Sequence, residues 1–333
     1  MKKIDKLLAC ASWTYAAATI MALALMYLAG DRWWPGTLLL FGPRWMLALP
    51  LIPLIPLALW RRRRLLLPLF LGGVVVVGPF MGLRWSFSTP ERHGTAVVRV
   101  LSCNIGGENF DSNKLSKLIR DLNVDLVSLQ ECPRELKLDL PPGWHSLQPG
   151  GLAIFSKFPL KEHTVVTGMH LPDTWPRTSL LPSIVSTPYG DISFNAIHLP
   201  TARFGIMHML DRKYGINIKK TDVLETETKN RMQISYKARK VSNQINMPTI
   251  VAGDFNMPTE SKIYRSHWSG LDNAFSSSGK GYGWTAYDEI KKNLIRVRVD
   301  HILNNNKINS LTCEVGKNIG SDHLPLICDF LIK

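Results

Sequence analysis

Eight side chains able to bind a hard cation or move a proton stand at the ends of short apolar runs in this chain. They are Asn104 in SCNIGG, Glu131 in LQECP, His198 in NAIHLP, Asp254 and Asn256 in VAGDFNMP, Asp300 in RVDHI, and Asp322 with His323 in GSDHLP. Carboxylate and amide oxygens are the donors that hard divalent ions take, and a carboxylate beside an imidazole can hold and move a proton. A single Asp or Asn after a strand would be a turn residue. The same few residue types at strand end after strand end are poorly explained by capping, because core strands rarely end in unpaired charge. His301, next to Asp300, would point to the opposite face and serve the structure.

The elements that must position these groups alternate from residue 96 onward. Runs rich in branched apolar residues at 96–104, 124–131, 151–157, 181–199 (split by a turn at 188–191), 248–256, 297–303 and 324–332 read as strands. A helix is expected at about 112–122. A second is expected near 230–246, where Ile234, Ala238, Val241 and Ile245 share a face before Pro248 stops it. The chain has no internal repeat.

Taken in order, these six motifs resemble those of the endonuclease/exonuclease/phosphatase (deoxyribonuclease I-like) superfamily over residues 96–332. The resemblance implies an α/β fold, a four-layer sandwich of two mixed β-sheets flanked by helices. It also implies roles. Asn104, Glu131 and Asp322 would form a metal site for Mg²⁺ or Mn²⁺, in keeping with all-oxygen ligation. Asp254, held by Asn256, would orient or deprotonate the attacking water, and Asp300 would fix the His323 imidazolium, which with His198 stabilises charge on the phosphoryl oxygens. Arg177 in TWPRTSL either matches a phosphate-contacting position of some relatives or is exposed charge. Trp144, Trp175 and Trp284 are either core residues or surfaces on which bases stack.

The first ninety residues are of another kind. Three apolar segments, Cys10–Gly30, Trp45–Trp60 and Leu65–Leu83, approach the length of about 20 residues that a membrane span needs. Prolines interrupt the second, which is still read as a span. A cleaved signal peptide also begins like MKKIDK, but two more apolar segments follow at once, which favours a retained anchor. The expected organisation is an anchor of about three transmembrane helices at 1–87, a linker at 88–95 and the catalytic domain at 96–333. Lys2, Lys3, Lys6 and Arg61–Arg64 would lie in the cytoplasm, which puts that domain on the extracytoplasmic face of a multi-pass membrane protein. The chain's net charge is +14, but the first ninety residues hold 10 Lys and Arg against 2 Asp and Glu, leaving 30 against 24 and a net of +6 for the remainder.

The expected activity is therefore metal-dependent hydrolysis of a phosphodiester, phosphomonoester or pyrophosphate at the membrane, with lipid-borne phosphate a candidate substrate. A membrane-anchored nuclease is the rival enzyme, weakened by the modest charge of the domain. The rival of another class is a non-catalytic binding or scaffold module, disfavoured because no motif position is blank. Residues 201–221 mix apolar side chains with Arg203, Arg212, Lys213, Lys219 and Lys220. That mixture suits either a surface lying on anionic lipid or a helix covering the sheet with solvated cations. The cysteines lack the close paired spacing of a zinc site, and an extracytoplasmic domain would permit a Cys313–Cys328 disulfide.

Overall fold

The computed structural model describes residues 3–86, 96–106, 110–163, 166–167, 178–211, 215–217, 220–244, 246–287 and 295–332. The expected linker at 88–95, Arg177, Trp175, Arg212, Lys213 and Lys219 lie outside them. The chain divides into two compact units, one of Met1–Arg84 with Glu260–Lys262 and one of Trp85–Thr259 with Ile263–Lys333.

The N-terminal unit is helical: α1 (Lys3–Ala29), α2 (Trp34–Phe41), α3 (Leu51–Arg61) and α4 (Leu66–Val75), the last running into a π-turn at Val76–Phe80. Three stretches, Lys3–Ala29, Arg44–Arg61 and Arg63–Phe80, are long and apolar enough to cross a membrane. The middle one is broken, with a 3-10 turn at Arg44–Ala48 and Pro50 at the N-cap of α3. Pro50 has no N–H to donate and disfavours helical geometry at the residue before it. Within the unit, Gly72 lets α4 lie against α1, since a Cβ there would sit 2.5 Å from the Tyr15 ring.

The second unit, the one expected to be catalytic, contains two mixed sheets. The first has the order β11–β12–β1–β2–β4–β3, formed by β1 (Val97–Asn104), β2 (Leu126–Gln130), β3 (His145–Leu147), β4 (Leu152–Ser156), β11 (Ile308–Val315) and β12 (Leu326–Ile332). The second has the order β9–β10–β8–β7–β6–β5, formed by β5 (Leu160–Glu162), β6 (Thr178–Thr187), β7 (Gly190–His198), β8 (Thr249–Asp254), β9 (Asp272–Asn273) and β10 (Asp300–Asn304). A seventh short strand at Val166–Thr167 pairs with β6. β1 runs parallel to β2 and β7 parallel to β8, while the other pairings that build the sheets are antiparallel.

Alternation along the strands divides the apolar residues between two layers. Val98, Val100, Leu126 and Ile154 face Phe194, Ala196, Ile250 and Ile302 in the core between the sheets. Leu101, Cys103, Val127 and Leu129 turn the other way and pack under Leu115 and Ile119 of α5 (Ser112–Asp121). On the second sheet α7 (Asp222–Ser242) lies against β6, and α6 (Arg203–Met209) packs on α7. This is the expected α/β sandwich with helices on its flanks.

Two expectations are corrected in detail. The second helix begins at Asp222, not near 230, because the polar opening DVLETETK carries its apolar positions only at wide spacing, and it ends at Ser242, short of 246. The run at 297–303 is not one strand: a two-residue strand at Arg296–Val297 precedes β10. β11 was not anticipated, because INSLTCEV is an edge strand whose half-buried positions do not alternate cleanly. Cys313 and Cys328 are partners in the β11–β12 register and are joined as a disulfide.

Candidate active site

Parallel pairing carries the strand ends to one edge of the sandwich. In the β7–β8 register His198 stands opposite Asp254, and in the antiparallel β8–β10 register Asp300 stands opposite it on the other side. No residue with a Cβ, alanine included, could precede Asp254: Gly253 has φ +156°, and a Cβ there would fall 1.9 Å from the Ile197 carbonyl oxygen. In the facing sheet, β1 ends at Asn104 and β2 just before Glu131.

Asn104 joins the two sheets. Its Nδ2 donates to Asp254 Oδ2 at 3.1 Å and to Glu131 Oε1 at 3.2 Å, and its Oδ1 accepts from the Gly106 N–H at 3.0 Å. Asn256 donates twice to Asp254, from its backbone N–H to Oδ1 at 2.7 Å and from Nδ2 to Oδ2 at 3.0 Å, while Nδ2 also donates to the Leu199 carbonyl at 2.8 Å. His198 Nε2 lies 3.7 Å from Glu131 Oε1 and 3.6 Å from Asp254 Oδ2. Among the described residues, three non-glycine positions have positive φ, and Glu131 (+56°) and Asn256 (+50°) are two of them. Left-handed backbone costs a residue with a Cβ about 1–2 kcal/mol, a strain held here where it aims the site's side chains.

Asp254 is buried, and burial, with the charge of Asp300, pushes its carboxyl up to about 7 despite the opposing effects of His323 and the amide donors. His323 Nδ1 lies 2.8 Å from Asp300 Oδ2. Burial works against the imidazolium, but the charge and hydrogen bond of Asp300, with Asp254 and Asp322, outweigh it and push His323 up to about 10. His323 is therefore a cation at neutral pH and Nδ1 donates to Asp300.

Among the described residues, Asp254, Asp300 and His323 offer ligand atoms within 4.8 Å of one another. This is not the metal set expected from the sequence, and the proton on His323 makes it a poor one, since an imidazolium repels a cation. The expected set fits better. Glu131, its side chain 34% exposed, and the exposed Asp322 are carboxylates that can reach a hydrated ion. Gly106, whose φ of +63° favours glycine, lies next to Asp322, with Oδ1 3.4 Å from where a Cβ would stand. Asn104 carries an amide oxygen, which here accepts the Gly106 N–H, so the three residues offer oxygen donors of the kind that suits Mg²⁺ or Mn²⁺.

The structure thus brings Asn104, Glu131, His198, Asp254, Asn256, Asp300 and His323 together, with Asp322 at the solvent side. His301 turns away as expected: it is buried, with Nε2 2.9 Å from the Met257 carbonyl oxygen and Nδ1 3.1 Å from Asn273 Nδ2. Trp144 packs on the outer layer of the first sheet, and Trp284 stacks on Tyr282 with centroids 4.5 Å apart. Sequence reasoning missed Ser321, whose Oγ donates to the Asn104 carbonyl at 2.7 Å and accepts the His323 N–H at 3.1 Å. It also missed Arg231, fully buried on α7 with Nη1 3.4 Å from the Asn256 carbonyl oxygen. Its signal was available: an arginine one turn before Ile234 and two before Ala238, on the face that packs.

A profile described as the Endonuclease/Exonuclease/phosphatase family matches residues 101–323. No curated relative matches the chain. Among solved structures, an endonuclease/exonuclease/phosphatase from Bacteroides vulgatus is 16% identical over 71% of this chain and 99% of its own, with a TM-score of 0.50. One from Beutenbergia cavernae is 18% identical over 71% and 72%, with a TM-score of 0.48. A mannosyl-6-phosphatase from Bacteroides thetaiotaomicron is 15% identical over 71% and 100%, also at 0.48.

Proposed function

Because this chain belongs to the endonuclease/exonuclease/phosphatase family, whose members are metal-dependent phosphoester hydrolases, we propose that it cleaves phosphodiester, phosphomonoester or pyrophosphate bonds at the extracytoplasmic face of a membrane, on lipid-linked substrates in particular. The observation that carries the chemistry is Asp254, a buried carboxylate held by three amide N–H donors between His198 and Asp300.

In this reading Asp254 accepts the proton of the attacking water, while Asn104 and Asn256 hold its oxygens in place. His198 and the His323 imidazolium donate to the phosphoryl oxygens as charge gathers on them, and Asp300 keeps the His323 proton where it is needed. Glu131, Asp322 and Asn104 would hold the Mg²⁺ or Mn²⁺. When bound, the ion offsets charge on a phosphoryl oxygen and makes phosphorus easier to attack.

The membrane location rests on the three apolar helical stretches and on the basic residues at 2–6 and 61–64, which the positive-inside bias keeps in the cytoplasm. The Cys313–Cys328 disulfide suits an oxidising compartment. The test uses the full chain in detergent with bis(p-nitrophenyl) phosphate. Hydrolysis should vanish with EDTA and return with Mg²⁺ or Mn²⁺, and its absence under all conditions would leave the scaffold reading. Closed spheroplasts should hydrolyse a charged substrate added outside, whereas activity seen only after lysis would reverse the orientation.

A further inference from the structure

Among the described residues of the catalytic unit, eight large apolar side chains are exposed, and four of them fall between residues 204 and 216. These are Phe204 (64% exposed), Met207 (56%), Leu210 (42%) and Ile216 (47%). The concentration follows from how α6 is forced to lie. Ala202 and Met209 are buried, and Gly205 meets α7 so closely that a Cβ would stand 2.5 Å from the Leu224 Cα. The Gly205 N–H is tied there too, donating to Glu227 Oε2 at 2.8 Å. With that face committed to α7, Phe204 and Met207, three residues apart on the helix, must turn outward. Leu210 follows and is the register partner of Ile216 in a short antiparallel pair, which sets those two side chains side by side. A solvated helix would place polar residues here. Two pairs of exposed large apolar side chains within one short segment, rather than such residues scattered singly, mark an interaction surface.

We propose that this tip inserts into the interfacial layer of a lipid bilayer and holds the His198 end of the site against it. The bilayer is the occupant the chain itself supplies. Only 17 peptide links separate Phe80, the end of the last apolar stretch, from Val97 of β1, a reach of at most about 60 Å. A domain on so short a tether meets lipid at high effective concentration. The exposed Arg203 and the half-exposed Lys220 flank the apolar side chains, as cations do among anionic headgroups. The tip begins five residues after His198. On the phosphohydrolase reading, it therefore sets the site to take phosphate from the membrane surface.

The test uses the full chain in phosphatidylethanolamine–phosphatidylglycerol liposomes, in a Cys10→Ser background, with a nitroxide on Met207→Cys. Lys117→Cys on α5, whose side chain is 70% exposed, is the aqueous control, and the background without added cysteine corrects for Cys103 and Cys132. At 207 the label should collide with oxygen more than with a water-soluble nickel chelate, and at 117 the reverse. Equal nickel access at both positions overturns the proposal. So does shielding of 207 from both reagents, the mark of a protein partner or a second copy. As a second readout, Phe204→Ser with Met207→Ser should lower turnover of a phosphoester lipid in the same vesicles by about tenfold relative to a soluble diester; equal loss on both substrates means a structural role and also overturns it. If the unsubstituted chain hydrolyses neither substrate, the phosphohydrolase reading fails while the label depth still decides the docking.

Discussion

Asp254 at the end of β8 and Asp300 at the start of β10 occupy one rung of a ladder, both buried, yet their surroundings differ in kind. Asp254 receives N–H groups from two neutral amides and sits beside the partly exposed Glu131, with its carboxyl pushed up to about 7. Asp300 faces an imidazolium at 2.8 Å and takes the Thr285 Oγ1 on its own backbone N–H at 3.2 Å. Two adjacent buried carboxylates would repel. The fold resolves this by giving one a counter-ion and leaving the other easy to protonate, and on the proposed function this divides proton acceptance from charge stabilisation.

The largest test of that division is Asp254→Ala. Without its proton acceptor the enzyme should lose about 10²-fold or more in turnover. The Mg²⁺ concentration for half-activity should stay as in the parent, whereas Glu131→Ala should raise it. Titration of activity with Mg²⁺ checks both, and the same metal requirement in the two variants would merge what the geometry separates.

Asp300→Asn comes next. It should leave metal dependence alone and strike His323, whose proton then faces burial without its counter-charge. In the parent, His323 lies above its ordinary 6.5, so the stabilisation from its pairing is fully present below 6.5 and is lost as pH rises through about 10. The alkaline limb of kcat/KM should lie near that upper value and move more than one unit lower in Asp300→Asn. A pH–rate profile decides; an unmoved limb would mean His323 does not act as a cation.

Asn256→Gly sharpens the other side of the rung. Glycine accepts the φ of +50°, so backbone strain is not the variable, while the Nδ2 bonds to Asp254 and Leu199 disappear. A hydrogen bond to a carboxylate is worth about 1.5–3 kcal/mol, so turnover should fall roughly tenfold to 100-fold. Losing a donor disfavours the carboxylate, so the acid limb of the profile should shift to higher pH. A fall in turnover with no shift would assign Asn256 to positioning the chain at Leu199 alone.

Much of this site could be read from the residues. Strands buried on both faces leave apolar runs with abrupt polar ends, so Asn104, Asp254 and Asp300 announced themselves. What could not be read is relative placement. His198 meets Asp254 only because β7 and β8 run parallel in one particular register, and Asn104 reaches Asp254 only because the two sheets face each other. The left-handed backbone at Glu131 has no sequence signal, since glutamate is not a residue that favours it. α7 opened early because tertiary packing of Leu224 and Glu227 against α6 overrides a polar stretch that periodicity alone would leave out.

The smallest expected effect on turnover comes from the residue beside Asp300. The hydrogen bonds of the His301 ring run to Met257 and Asn273, away from Asp254 and His323. The ring points into the layer beneath, where Nε2 meets the Met257 carbonyl and Nδ1 meets Asn273, with the Phe255 ring 5.4 Å away. His301→Leu would fill similar space but leave the Met257 carbonyl and the Asn273 amide without that partner. Asn273 Nδ2 keeps its bond to the Tyr264 hydroxyl, and a lost buried hydrogen bond costs about 0.5–1.5 kcal/mol, so the variant should unfold at lower denaturant concentration while its turnover per folded molecule stays within about twofold of the parent. Adjacent residues on a strand face opposite ways, so Asp300 and His301 should differ in which property they move, activity for one and stability for the other. A His301 variant that lost turnover without losing stability would show that the rung is not insulated from the layer below it, and the separate treatment of the two carboxylates would then have to include that layer.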